Sequence, residues 1–215
     1  MTGLVTRFHV LLLSATVAIT AVAYLHIPES FAFVAHWSGG TADRQWPRDW
    51  TLPVAPGLQI LLLAAFFSLE RMLSRNHLAK TQHIFVPVLT VLLGTIAAVQ
   101  LSLLLLGIGS DLDLLRLVTL AEGAGLLVLG IVLREAERHT YAGMRLPWPI
   151  ASDHHWRIAH HVLGVSYALG GLALIAIAWI NPGLGLLIIA LTVALLVPPA
   201  LAGITSTALA LSRRQ

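Results

Sequence analysis

The chemistry-capable side chains of this chain gather in one stretch, YAGMRLPWPIASDHHWRIAHHVLG, from Tyr141 to Gly164. Pro147 and Pro149 fix φ and bias the residues before them toward extended backbone, so the first part is non-helical. Ser152 is then the predicted N-cap of a helix. Asp153 at the first helical position complements the positive end of the helix dipole. Asp153, Trp156, His160 and Gly164 follow at steps of three and four, which places them on one helical face. The spacing predicts a strip of carboxylate, indole and imidazole, with Arg145 upstream within reach of Asp153 or a lipid phosphate.

Four histidines here (His154, His155, His160, His161) raise the question of a metal. Two ligands for one ion on one helix stand three or four residues apart. The separations between the two histidine pairs are five, six and seven, and His154 and His161 lie about 10 Å apart along the axis. Interfacial, hydrogen-bonding histidines are the expectation, with no metal and no cofactor. His36 with Asp43 is a weaker pair still. No GxSxG, no paired intramembrane aspartates and no glycine-rich phosphate loop occur, so the reading is a non-enzyme. A metal-dependent membrane enzyme is the distant alternative.

Two further polar residues stand inside hydrophobic runs. Glu122 is near the middle of one and Gln100 lies in another, and an ionisable group in hydrocarbon marks a paired site or a pathway. Pairing of a protonated Glu122 with Gln100 across neighbouring helices is the expectation. Ser102, Thr119 and Thr205 are a thin supply of polar groups for a path.

The elements that position these residues are membrane spans. The chain has 215 residues, 57% hydrophobic and 11% charged, with a mean hydropathy of +0.84. Soluble domains carry about 25% charged residues, so this composition cannot cover a water-exposed surface. Six runs approach the ~20 apolar residues that one crossing helix needs: 8–27, 53–69, 84–107, 114–133, 162–180 and 184–211. The fold class is therefore all-α, one six-helix transmembrane domain over 1–215. Arg7, the apolar stretch and Ala21-Val22-Ala23 have the shape of a signal peptide, and the segment is read as a retained first helix. Cysteine is absent, which removes disulfides and thiolate metal sites.

Arg44, Arg48 and Arg116 fall on one side of this arrangement and every other Lys and Arg on the opposite side. The positive-inside rule then puts both termini in the cytoplasm. The basic residues flank the spans, which suits lipid headgroups and excludes direct nucleic-acid binding as the reason for a pI near 10. The Trp-rich loop 28–52 faces outward, with Trp37, Trp46 and Trp50 expected at headgroup level. Asn181-Pro182-Gly183 reads as an outer turn, and Pro198-Pro199 as a kink in the last span. Glycines 123, 125, 130, 164, 170 and 171 would permit close helix contact, and Glu135 to His139 reads as a solvated helix end.

The 141–164 stretch resembles the SdpI-like family of bacterial multi-pass membrane proteins. Gly143, Arg145, Pro147, Trp148, Ser152, Trp156, His160 and Gly164 carry the likeness. Pro28, His36, Trp37, Gly40 and Asp43 are similar to the segment after the first span in these proteins, and span number and loop order agree. Leu146 stands where the family has Thr, and the Thr-Leu-Ser after the tryptophan becomes Pro149-Ile150-Ala151-Ser152. The family's asparagines near the end of span four are missing, which marks a divergent member. The resemblance implies immunity to a secreted, membrane-active peptide toxin at the bacterial cytoplasmic membrane, with signalling to a cytoplasmic regulator through loop 134–161. The alternatives are an accessory or scaffold subunit among other membrane subunits, and a small transporter using Glu122 and Gln100.

Overall fold

The computed structural model describes residues 3–38, 41–111, 114–136, 138 and 152–211, with backbone only at 35–38, 41–43 and 184. Its elements in order are α1 (Arg7–His26), β1 (Ala32–Ser38), β2 (Thr41–Pro47), a one-turn α2 (Arg48–Thr51), α3 (Val54–Met72), α4 (Arg75–Gly107), α5 (Leu114–Arg134), α6 (Asp153–Ile180) and α7 (Leu184–Leu211). Six helices are long and apolar enough to cross a membrane, α2 being continuous with α3 in that count. Helices α1, α3 and α4 pack together, α5, α6 and α7 pack together, and α4 against α5 joins the two groups. Sequential helices alternate in direction, so the start of α1, the α3–α4 link, the end of α5 and the start of α6 share one face. We call this the terminal face; the opposite one is the hairpin face.

The surface is what a bilayer requires. Leu11, Leu61, Leu169, Ile189, Leu196 and Ile204 are exposed, an arrangement that only a hydrocarbon solvent tolerates around a whole bundle. Hydroxyls inside the spans satisfy themselves on the carbonyl one turn back: Ser102 Oγ on Ala98 at 2.7 Å, Thr119 Oγ1 on Leu115 at 2.7 Å and Thr205 Oγ1 on Leu201 at 2.8 Å. These three hydroxyl donors are therefore satisfied within their own helices.

Two local structures depart from the sequence reading. The polar stretch after α3 is helix, because Ser74 caps α4 by accepting from His77 N–H, so Arg75 and Lys80 stand on α4 and only Leu73 and Ser74 link it to α3. At about 1.5 Å per residue, the 33 residues of α4 outrun the hydrocarbon layer and carry these cations beyond it. The Trp-rich loop contains an antiparallel hairpin, β1 with β2. Its base is closed by Arg48 N–H donating to Phe31 O at 3.1 Å. Phe33, with Leu52, Ala23, Ile27 and Leu104, forms an apolar plug that seats the hairpin on the bundle.

Glycine sets the closest helix approach. A Cβ on Gly130 would stand 2.5 Å from Gly164 O, and one on Gly171 would stand 2.5 Å from Gly123 O. These four residues form two rungs of backbone-on-backbone contact between antiparallel α5 and α6. Gly164 thus brings α6 against the last turn of α5, its missing Cβ lying 2.7 Å from Arg134 N.

Candidate functional site

The site on the terminal face is built from the end of α5 and the first three turns of α6. Ser152 is the N-cap of α6, its Oγ accepting from His155 N–H at 3.2 Å, and Asp153 opens the helix as its sequence position requires. Trp156, His160 and Gly164 are buried along one face and Asp153 is exposed at its mouth. The Trp156 and His160 rings stack with centroids 4.0 Å apart and planes 21° apart. His160 Nδ1 lies 3.0 Å from Trp156 O; a carbonyl only accepts, so Nδ1 carries the hydrogen. Trp156 Nε1 donates to Ala136 O at 3.0 Å.

That last bond fixes the chain leaving α5. Ala136 is 3% exposed and packs with Ile84, so the stretch after Arg134 is not a wholly solvated helix end. One indole therefore ties the α5–α6 segment to the stripe on α6. Asp153 is held by Arg138, Nη1 to Oδ1 at 3.3 Å and exposed. Around these groups lies an open cavity of about 420 Å³, lined among the described residues by Arg134, Glu135, Ala136, Arg138, Asp153, Trp156 and Arg157. Its wall carries three arginines against two acids, Glu135 and the Arg138-paired Asp153, with the Trp156 indole beside them. That chemistry suits recognition of an anionic or acidic group; it offers no nucleophile poised against a base.

Gly143, Arg145, Pro147 and Trp148 lie outside the described residues. The histidines do not converge: His160 is buried against Trp156 while His154 and His161 are exposed. No group of three or more His, Asp or Glu placed to hold a metal occurs among the described residues.

On the hairpin face, β1 carries His36 and Trp37 and β2 carries Asp43, whereas Gly40 lies outside the described residues. The register sets His36 opposite Arg44 and Trp37 opposite Ala42, which leaves Asp43 as the extra residue of a bulge. Pro28 sits just after α1, beside a cavity of about 660 Å³ that also borders Phe31 and Gly107. Arg48, which the sequence marks only as one of three cations on one side, fastens this end. It is 7% exposed, and its Nη1 donates to Ile27 O at 2.5 Å, closing the carbonyl end of α1. Arg116 does the same for α6, Nε donating to Ala178 O at 2.9 Å. Two of the arginines on the hairpin face are thus consumed by helix C-termini, where the dipole favours a cation.

Glu122 and Gln100 are not partners, contrary to expectation. Glu122 accepts from Thr95 Oγ1 at 3.4 Å. Gln100 is fully buried and donates through Nε2 to Thr20 Oγ1 at 2.8 Å and Leu52 O at 3.2 Å. The turn-by-turn reason is their level: Thr95, not Gln100, is the α4 residue level with Glu122. Gln100 clips α1 and the start of α3 onto α4, a packing role.

Residues 135–203 match the SdpI/YfhL protein family. The match begins just after α5, contains the whole of α6 and ends inside α7; Pro28, His36, Trp37, Gly40 and Asp43 fall before it. No curated protein and no solved structure matches the chain.

Proposed function

We propose that this chain, SdpI-like over residues 135–203, is a non-enzymatic protein of the bacterial cytoplasmic membrane that protects its host against a secreted, membrane-active peptide. The observation that carries the reading is the coincidence of the family segment with the Trp156–Ala136 tie. The part of the chain that is SdpI-like is the part whose stripe on α6 holds the neighbouring segment. In this reading both termini are cytoplasmic, the hairpin face with His36, Trp37 and Asp43 meets the peptide, and the terminal face with Arg145, Trp148, Asp153, Trp156 and His160 reports to a cytoplasmic regulator. Orientation has a direct check, because the chain lacks cysteine. A single cysteine at Ser110 is expected to react with an impermeant maleimide in intact cells, and one at Thr2 only after lysis. The reverse pattern would overturn the orientation.

The function is tested by recording membrane potential in a sensitive bacterium challenged with a panel of secreted membrane-active peptides. Cells carrying the protein are expected to hold their potential against at least one peptide that depolarises the empty-vector strain, and Arg145→Ala is expected to abolish that protection. Retention of protection in Arg145→Ala moves the mechanism to the hairpin. Depolarisation at the empty-vector rate with every peptide sinks the reading in favour of an accessory subunit.

A further inference from the structure

The first turns of α6 have a second face that the Trp156–His160 stripe does not use. His154, Arg157 and His161 follow one another at steps of three and four on that face and all are exposed. With Arg134 from α5 and the apolar Ile158 and Val162, they line a cavity of about 430 Å³. Neither Arg134 nor Arg157 makes an ion pair with a described residue. The acid in the first turn, Asp153, is engaged by Arg138 in the neighbouring cavity. Two guanidinium groups without an ion pair to a described residue therefore face this cavity, and the nearby Glu135 lines the neighbouring one.

Depth decides what meets them. Counting the ~30 Å of hydrocarbon back from Ile180 at roughly 1.5 Å per residue puts the membrane boundary near His160. Arg157 and His154 then stand about 5 and 9 Å above it, the level of lipid phosphates. Arg134 starts lower, since its backbone packs against Gly164, and its long stem lets the charge rise to the same level. Ile158 and Val162 continue the wall downward into the apolar surface. The cavity thus presents cations to a phosphate and hydrocarbon to what hangs beneath it.

We propose that Arg134 and Arg157 bind the phosphate of an anionic phospholipid headgroup, with Ile158 and Val162 against the upper acyl chain. Guanidinium matches phosphate oxygens bidentately, and basic pockets between spans are where headgroups dock. The apolar lower wall is what favours a lipid over a soluble phosphate. The proposal does not presuppose peptide protection, although Arg134 and Arg157 also line the cavity around Asp153.

The test is native mass spectrometry of the delipidated full chain titrated with short-chain phosphatidylglycerol or phosphatidylcholine, with inorganic phosphate as a third arm. Phosphatidylglycerol is expected to saturate one site first. Arg134→Gln with Arg157→Gln should weaken that site roughly tenfold or more, whereas Arg75→Gln with Lys80→Gln leaves it intact. Equal binding of the two lipids, or equal loss in both double variants, overturns the proposal. Competition by millimolar inorganic phosphate overturns the lipid as occupant. If the double variant fails to fold, Arg157→Gln alone, at an exposed position, carries the same comparison with a smaller expected loss.

Discussion

A Gly130→Val protein is expected to melt far below the wild type in detergent, or to fail to reach a monodisperse state at all. The new Cβ would stand 2.5 Å from Ala168 N and 2.5 Å from Gly164 O. Both are backbone atoms, so no side chain can rotate away, and the helices themselves must part. Ordinary overpacking costs about 1–3 kcal/mol; two backbone clashes on one rung place this substitution at or above the top of that range. Parting α5 from α6 also moves Arg134 off Gly164 and Ala136 off Trp156, so the damage extends to the site. Gly94→Ala is the control, because nothing lies within 4 Å of its missing Cβ. There the change removes only glycine's helix penalty, a gain of about 0.5–1 kcal/mol. Thermal melts followed by size-exclusion chromatography separate the two. Equal melting of Gly130→Val and Gly94→Ala would dispose of the backbone seam.

The seam shows how far the sequence could be read. Glycines in spans four and five announce close packing, but Gly123, Gly125 and Gly130 look alike until the partner helix is known. Gly125 turns out to face Val91 of α4. Apolar runs of the right length give the spans and the fold class from hydropathy alone, since the bilayer leaves few alternatives. Ser152 as N-cap and the Trp156–His160–Gly164 stripe follow from local rules of helix geometry, and they are legible for that reason. The hairpin is only half legible: Gly39-Gly40 is a two-residue turn signal and Phe33, Val34 and Trp37 favour a strand, but Thr41–Pro47 carries Ala, Asp and Pro, which do not. Arg48 could not be found this way. Its role depends on where the carbonyl end of α1 arrives after an intervening hairpin, and spacing along the chain does not encode that. The same holds for Glu122, whose α4 partner depends on how α4 and α5 are offset.

Trp156→Phe is the substitution expected to separate function from fold. Phenylalanine keeps the ring against His160 and most of the buried area, so the bundle should assemble and purify as the wild type does. What it removes is the indole N–H to Ala136 O, leaving a buried carbonyl without that donor. An unsatisfied buried group costs about 1–3 kcal/mol, and here the cost falls on the segment after Arg134 while the helices retain their own contacts. Limited proteolysis should therefore cleave between Arg134 and Ser152 at least several-fold faster in the variant. The melting of the bundle should shift only modestly. If the family segment acts by holding that neighbour in place, protection of membrane potential falls in parallel with the gain in cleavage. Trp156→Ala is the harsher comparison: loss of a buried aromatic costs about 3–5 kcal/mol and leaves a void beside His160, so bundle and segment should fail together. Faster cleavage in Trp156→Phe with full protection would mean that the tie is structural only. Unchanged cleavage would mean that other contacts hold the segment and that the indole bond is incidental.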